Sequence, residues 1–188
     1  MKAANKAVFL DRDGVLNASI DRGGVSSAPL TLADLQILDD VPAGLATLKA
    51  AGFQLIVVTN QPDVRRGRGR LEDIHAIHAH MRQVLPLDAI RVCFHDDDDR
   101  CQCRKPHPGM LIAEASDRRI DLSQSYLVGD RWRDIEAGKR AGCRTILIAS
   151  RFPGDKDDTF VQPDHTADNL LLAADWILSQ NGRTHEHR

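Results

Sequence analysis

Two carboxylates one residue apart, Asp11 and Asp13, follow the apolar run Ala7-Val8-Phe9-Leu10 and precede Gly14. In an extended segment residues i and i+2 point the same way, so both acids converge at the carboxyl end of a buried strand, where open α/β sheets carry their chemistry. Gly14 permits a sharp turn or the close approach of a ligand. Paired carboxylates repel unless a cation lies between them, and hard oxygen donors suit Mg²⁺. The same tetrad also reads as a solvated, Asp-rich turn, and alone it does not decide between the two.

Three further segments carry complementary groups. The β-branched run Leu55-Ile56-Val57-Val58 ends in Thr59 and Asn60, a hydroxyl and an amide suited to phosphate oxygens. Lys105 lies in Cys103-Arg104-Lys105-Pro106-His107-Pro108-Gly109, after a loop and before a helical pattern, where its ammonium could neutralise a nucleophile and a phosphate together. A third strand pattern, Tyr126-Leu127-Val128-Gly129, ends in Asp130, with Asp134 four residues on as a weaker oxygen donor.

Cys93, His95, Cys101 and Cys103 fall within eleven residues. Three thiolates and an imidazole make a tetrahedral Zn²⁺ set; reduced cysteines or a disulfide are the alternatives. A zinc there would restrict the loop that carries Lys105. The run Asp96 to Asp99 reads as a solvated loop tip, Cys143 as a small buried apolar residue, and His75, His78 and His80 as a surface helix face without the HExxH pattern. Trp132 and Trp176 read as packing residues, with Trp132 near enough to Asp130 to line a pocket. Arg65, Arg66, Arg68 and Arg70 read as a solvated loop, with Arg66 the one candidate for a second phosphate.

These groups need a scaffold. Strand patterns at 7–10, 55–59, 90–94, 125–128 and 145–148 alternate with helical periodicity at 42–51, 71–85, 108–118, 131–141 and 167–178, which predicts a Rossmann-like α/β fold, a parallel sheet with helices on both faces. One domain over 1–179 and a polar tail over 180–188 are expected, with His185 and His187 in the tail. A short loop and one helical pattern join Asp11 to Thr59, which leaves no room for a cap domain.

The chain has 188 residues, 42% hydrophobic, enough for one substantial core. A net charge of −2 and eight aromatic residues argue against nucleic acid as a partner. No window approaches an apolar span of about 20 residues, so no membrane partner is expected, and the protein is expected in the cytoplasm as a monomer.

Asp-x-Asp-Gly, a strand ending in Thr59, then Lys105, then Gly129-Asp130-x-x-x-Asp134 resembles, in that order, the motif set of the haloacid dehalogenase superfamily of phosphohydrolases over about residues 6 to 150. The resemblance implies Asp11 as nucleophile, Asp13 as general acid and base, Thr59 as hydrogen-bond partner of the phosphoryl group with Asn60 beside it, and Lys105 as the charge-neutralising lysine. Asp130 would complete a Mg²⁺ site with Asp11 and Asp13. The logic is physical as well: a carboxylate attacks a phosphate only where cations cancel the repulsion. A zinc-stabilised domain that only binds a partner is the competing reading, but no catalytic side chain of the set is missing.

The segments Cys101-x-Cys103-Arg104-Lys105-Pro106-His107-Pro108-Gly109-Met110, Asp11 to Asn17 and Val57 to Gln61 resemble the branch of heptose 1,7-bisphosphate and histidinol phosphatases. That implies a small phosphorylated metabolite as substrate: removal of the 7-phosphate of D-glycero-D-manno-heptose 1,7-bisphosphate, with histidinol phosphate or another small sugar phosphate as alternatives. Arg104 would then contact substrate. Gly23-Gly24-Val25, Pro62 to Gly67 and the short interval between the two zinc-ligand pairs depart from the branch, all on the substrate side.

Overall fold

The computed structural model describes residues 5–149 and 161–182. In chain order the elements are β1 (Ala7–Leu10), β2 (Ile20–Asp21), β3 (Ser26–Ser27), α1 (Val41–Ala50), β4 (Gln54–Asn60), α2 (Leu71–Val84), β5 (Ala89–Cys93), α3 (Gly109–Arg118), β6 (Tyr126–Gly129), α4 (Trp132–Ala141), β7 (Arg144–Ile148), β8 (His165–Ala167) and α5 (Leu170–Gly182).

All four residues of β1 are buried because both faces of its sheet are covered. Val8 and Leu10 join Leu55, Val57 and Val128 in the core beneath α1, α2 and α5. Phe9 points the other way, with Ile56, Val58 and Leu127, into the core beneath α3 and α4. A continuous apolar run thus splits by its two-residue period into two cores.

The six-stranded sheet runs β5-β4-β1-β6-β7-β8, every neighbouring pair parallel. From β1 the chain moves outward to β4 and β5, then returns past β1 to β6, β7 and β8. That reversal opens a crevice beyond the carboxyl ends of β1 and β6, where doubly wound folds bind ligands. Leu10 lies level with Val57 on one side and Val128 on the other, so Asp11, Thr59, Asn60 and Asp130 leave the sheet at one edge. The Asp11 amide donates to the Val128 carbonyl at 2.9 Å and ties the two central strand ends together.

Between β1 and β4 lie only the β2–β3 hairpin, a 3₁₀ turn at Leu32–Asp34 and α1, so no cap domain is inserted. The sequence pattern missed the hairpin, whose strands are two residues each. It also ran the last helix back to Ala167, whereas 165–167 pair with β7 as the edge strand β8. The helix starts later because Asn169 accepts from the Leu172 amide at 3.0 Å and Asp40 accepts from the Leu170 amide at 2.8 Å, so two side chains satisfy its first donors. Helix α5 continues to Gly182, into the segment expected as tail. His185 and His187 lie outside the described residues. Among those residues no helix is long and apolar enough to cross a membrane.

Helix α4 rests on the sheet through Gly138, where an added Cβ would meet Thr145 Cγ2 at 2.5 Å and Leu127 Cβ at 3.1 Å. Alanine gains about 1 kcal/mol of helix propensity over glycine, yet the contact forces α4 off two buried strands. Gly138→Ala should therefore lower unfolding stability by about 1–2 kcal/mol, read from urea denaturation. An unchanged or raised midpoint would contradict this packing.

Candidate active site

Asp11, Asp130 and Asp134 bring one carboxylate oxygen each within 4.8 Å of one another at the crevice. Asp11 follows β1, Asp130 follows β6, and Asp134 reaches back from the first turn of α4. Gly14 makes the approach possible: its φ is +83°, and a Cβ there would lie 2.2 Å from Asp130 Oδ2. Lys105 enters from the loop before α3, its Nζ 2.8 Å from Asp11 Oδ1 and 2.5 Å from Asp134 Oδ1.

One ammonium cannot balance three carboxylates, two of them buried and the third, Asp11, half-buried. Burial pushes Asp11 up to about 6; the Lys105 charge opposes this, and Asp134 and Asp13 add to it. Burial, then Asp11 and Asp134, push Asp130 far above the carboxylate range. Asp130 Oδ1 is buried with no hydrogen-bond partner. Lys105 stays charged because Asp11 and Asp134 outweigh its burial. An orphaned carboxylate oxygen, an excess of negative charge and an all-oxygen donor set together fit a hard divalent cation such as Mg²⁺.

The Asp13 carboxylate, expected beside Asp11 and Asp130, stands outside this side-chain group. Its two oxygens are occupied by Arg12 Nε and Nη2, both at 3.1 Å, Asn17 Nδ2 at 3.0 Å and Gln61 Nε2 at 2.7 Å. Burial would raise Asp13, but the Arg12 charge and these hydrogen bonds prevail and hold it below the usual range. Asp134, a weaker oxygen donor by its spacing, stands with Asp11 and Asp130.

Other expectations are redistributed. Asn60 spends both ends of its amide on Lys105, donating to its carbonyl and accepting from its amide at 3.1 Å each, so it sets the lysine backbone in place. Thr59 is buried, its hydroxyl accepting from Gln61 at 2.9 Å. Gln61 was legible as the residue two beyond Thr59 on the same side of an extended chain. His78, read as surface, is 5% exposed, with Nε2 3.0 Å from Arg12 Nη1. Trp132 does line the cavity.

The acidic run is solvated at Asp97 and Asp98, as expected, but it is also paired with arginines from other segments. Asp96 accepts from Arg66 Nε at 2.6 Å, and Asp97 accepts from Arg104 Nε and Arg133 Nη1 at 2.8 Å each. The Arg104 bond, then Arg133, draw Asp97 down to about 2. A cavity of about 420 Å³ opens above Asp11 and Lys105, edged by Arg66, Arg68, Arg104, Arg131 and Arg133 against Asp63 and Asp97. Ser26 of the β2–β3 hairpin, held by Arg131 at 3.1 Å, closes one side. Arg65 faces Asp99 and Arg70 faces Glu72 at the surface, as solvated loop residues do.

Cys93, Cys101 and Cys103 are free thiols, with Sγ–Sγ separations of 3.3, 3.4 and 3.7 Å; His95 Nδ1 lies 3.3 Å from Cys103 Sγ and 3.6 Å from Cys93 Sγ. A disulfide needs about 2.05 Å. Zn–S bonds of ~2.3 Å in a tetrahedron give edges of about 3.8 Å, so the four ligand atoms already surround a site of that size.

The described residues and sequence match known proteins. Residues 102–173 match the HAD-hydrolase-like family model. The D-glycero-β-D-manno-heptose-1,7-bisphosphate 7-phosphatase of Helicobacter pylori is 32% identical over 183 residues, 94% of this chain and 99% of that protein. The Escherichia coli enzyme of the same name is 34% identical over 186 residues, 92% and 88% of the two chains. The crystal structure of the D,D-heptose 1,7-bisphosphate phosphatase of B. bronchiseptica, complexed with magnesium and phosphate, superposes with a TM-score of 0.81 at 30% identity, covering 93% of this chain and 99% of that one.

Burial, then the Arg12 charge, lower His78 from 6.5 to about 3. The folded protein thus keeps it neutral, while the unfolded chain takes up a proton below about 6.5. Its contribution is present above that pH and is lost as pH falls toward about 3. NMR should find no titration of the His78 ring between about pH 5 and pH 8. A midpoint near 6.5 would contradict the buried Arg12 contact.

Proposed function

The chain belongs to the heptose bisphosphate phosphatase branch of the haloacid dehalogenase-like hydrolases, phosphoric monoester hydrolases, and on that premise we propose that it removes the 7-phosphate of D-glycero-D-manno-heptose 1,7-bisphosphate by way of an aspartyl phosphate on Asp11. The observation that carries this reading is the cavity above Asp11: five arginines at its rim against Asp63, Asp96 and Asp97, set beyond the catalytic cluster. A second anionic group on the substrate fits that arc. Histidinol phosphate would bring an ammonium instead, and Asp97, a carboxylate placed to receive one, already accepts from Arg104 and Arg133.

Asp11 and Asp134 both line the cavity and touch Lys105, but Asp11 stands directly at the end of β1 and is the more exposed of the two, 13% against 2%. Its oxygen forms a bond to phosphorus as the bond from phosphorus to the sugar oxygen breaks, and the departing oxygen takes a proton from Asp13. A phosphate dianion beside Asp13 raises its affinity for that proton, against the pull of Arg12. Asp13 then takes a proton from water, whose oxygen bonds to phosphorus as the link to Asp11 breaks, releasing phosphate. Mg²⁺ held by Asp11, Asp130 and Asp134 would supply charge neutralisation for two anions that must meet. Lys105 adds its own charge, and Thr59 and the Asn60-held backbone keep the phosphoryl group in reach. Zinc at Cys93, His95, Cys101 and Cys103 would fix the loop from which Arg104, Lys105, Asp96 and Asp97 all project.

Asp11→Asn keeps the side chain's shape but removes the attacking charge, so hydrolysis should fall by about 10³-fold or more in a folded protein, with Mg²⁺ supplied. The wild-type enzyme should show higher kcat/KM on heptose 1,7-bisphosphate than on histidinol phosphate. Arg104→Ala should lose more on the bisphosphate than on a simple monophosphate. A preference for histidinol phosphate would overturn the sugar assignment and leave the phosphatase standing.

Elemental analysis of protein purified without chelator should find one zinc per chain, lowered in Cys103→Ser together with kcat/KM. Zinc-free protein of full activity would refute a structural role for the cluster.

A further inference from the structure

Asp13 belongs to the loop after β1, and its position depends on partners outside that loop. Asn17 holds Oδ1 from within the same loop, and Gln61 holds Oδ2 from the end of β4. Arg12, its immediate neighbour, holds both oxygens, but two adjacent residues bound to each other can swing together. The guanidinium is anchored to the scaffold from α2, where His78 stands 66 positions along the chain with Nε2 3.0 Å from Arg12 Nη1.

The direction of that contact is fixed by chemistry. A guanidinium has only donors and keeps its charge, so Nε2 must be the acceptor, and the ring carries its proton on Nδ1. A doubly protonated ring would set two cations against each other in a site where Arg12 is 0% exposed. The low proton affinity of His78 agrees with this tautomer. A neutral acceptor in this position serves one purpose: it fixes the far side of the fork whose near side grips the acid.

We propose that His78 is a positioning residue, which, by accepting from Arg12, locks the guanidinium that aims the Asp13 carboxyl at the leaving-group oxygen. This rests on the general-acid role given to Asp13 above. In that step the bond from phosphorus to oxygen breaks, its electron pair stays on the departing oxygen, and Asp13 supplies the proton. A displaced Asp13 should therefore slow esters that need the proton and spare p-nitrophenyl phosphate, whose leaving group does not.

The test compares kcat/KM of His78→Leu, His78→Gln and Asp13→Asn on a sugar phosphate and on p-nitrophenyl phosphate, with folding checked by circular dichroism. His78→Leu should lose roughly tenfold or more on the sugar phosphate, a part of the 10²–10⁴-fold that general acid catalysis supplies, through kcat rather than KM. On p-nitrophenyl phosphate its loss should stay within about threefold. His78→Gln, which keeps an acceptor, should recover most of the sugar-phosphate rate. His78→Met takes the place of the leucine variant if that protein does not fold. Equal losses on both substrates, or no advantage of glutamine over the apolar residue, would overturn the proposal for His78. If Asp13→Asn itself shows no leaving-group selectivity, the role of Asp13 falls instead, and the two failures are told apart.

Discussion

Three crowded carboxylates share one ammonium at the mouth of the sheet, and the rest of the molecule is arranged around that shortage of positive charge. Asp11, Asp130 and Asp134 come from the ends of the two central strands and the first turn of a helix, and Lys105 meets two of them. In a medium of low effective dielectric such crowding is strongly unfavourable unless a cation and a charge-spreading transition state use it. The fold bears the cost through two cores that hold the central strands rigid from both faces.

Asp13 shows the opposite electrostatics a few ångströms away. Its charge is matched by Arg12, and its oxygens are saturated by hydrogen bonds. On the proposed mechanism the two acids of one motif are given different tasks by their surroundings: the one left short of positive charge would meet the phosphoryl group, and the one held in a fixed grip would handle protons. The cysteine loop extends the same economy to the substrate side. It supplies Lys105 and Arg104 and also Asp96 and Asp97, which hold Arg66, Arg104 and Arg133 around the cavity.

The legible parts of the sequence were those governed by short-range rules. The apolar runs became the central strands because a strand buried on both faces leaves little alternative, and Asp11, Asp130 and Lys105 stood where those strands and the loop end. The Cys93, His95, Cys101 and Cys103 set converged as its spacing implied. What the sequence hid depended on long-range partners. His78 lies on an amphipathic helix and reads as solvated until Arg12 is seen against it. Asp96 and Asp97 look like any acidic turn until arginines from other segments arrive. Asp134 joins Asp11 and Asp130 because the first turn of α4 lies over the end of β6, a packing relation that spacing alone does not encode.

Asp11 is the group proposed to receive the phosphoryl, and that transfer is directly measurable. Enzyme turning over a sugar bisphosphate with Mg²⁺ is quenched in acid, reduced with borohydride and mapped by peptide mass spectrometry. Reduction confined to position 11, and absent without substrate, is the predicted result. Reduction at Asp13 or Asp130, or none at any aspartate during demonstrable turnover, would contradict it.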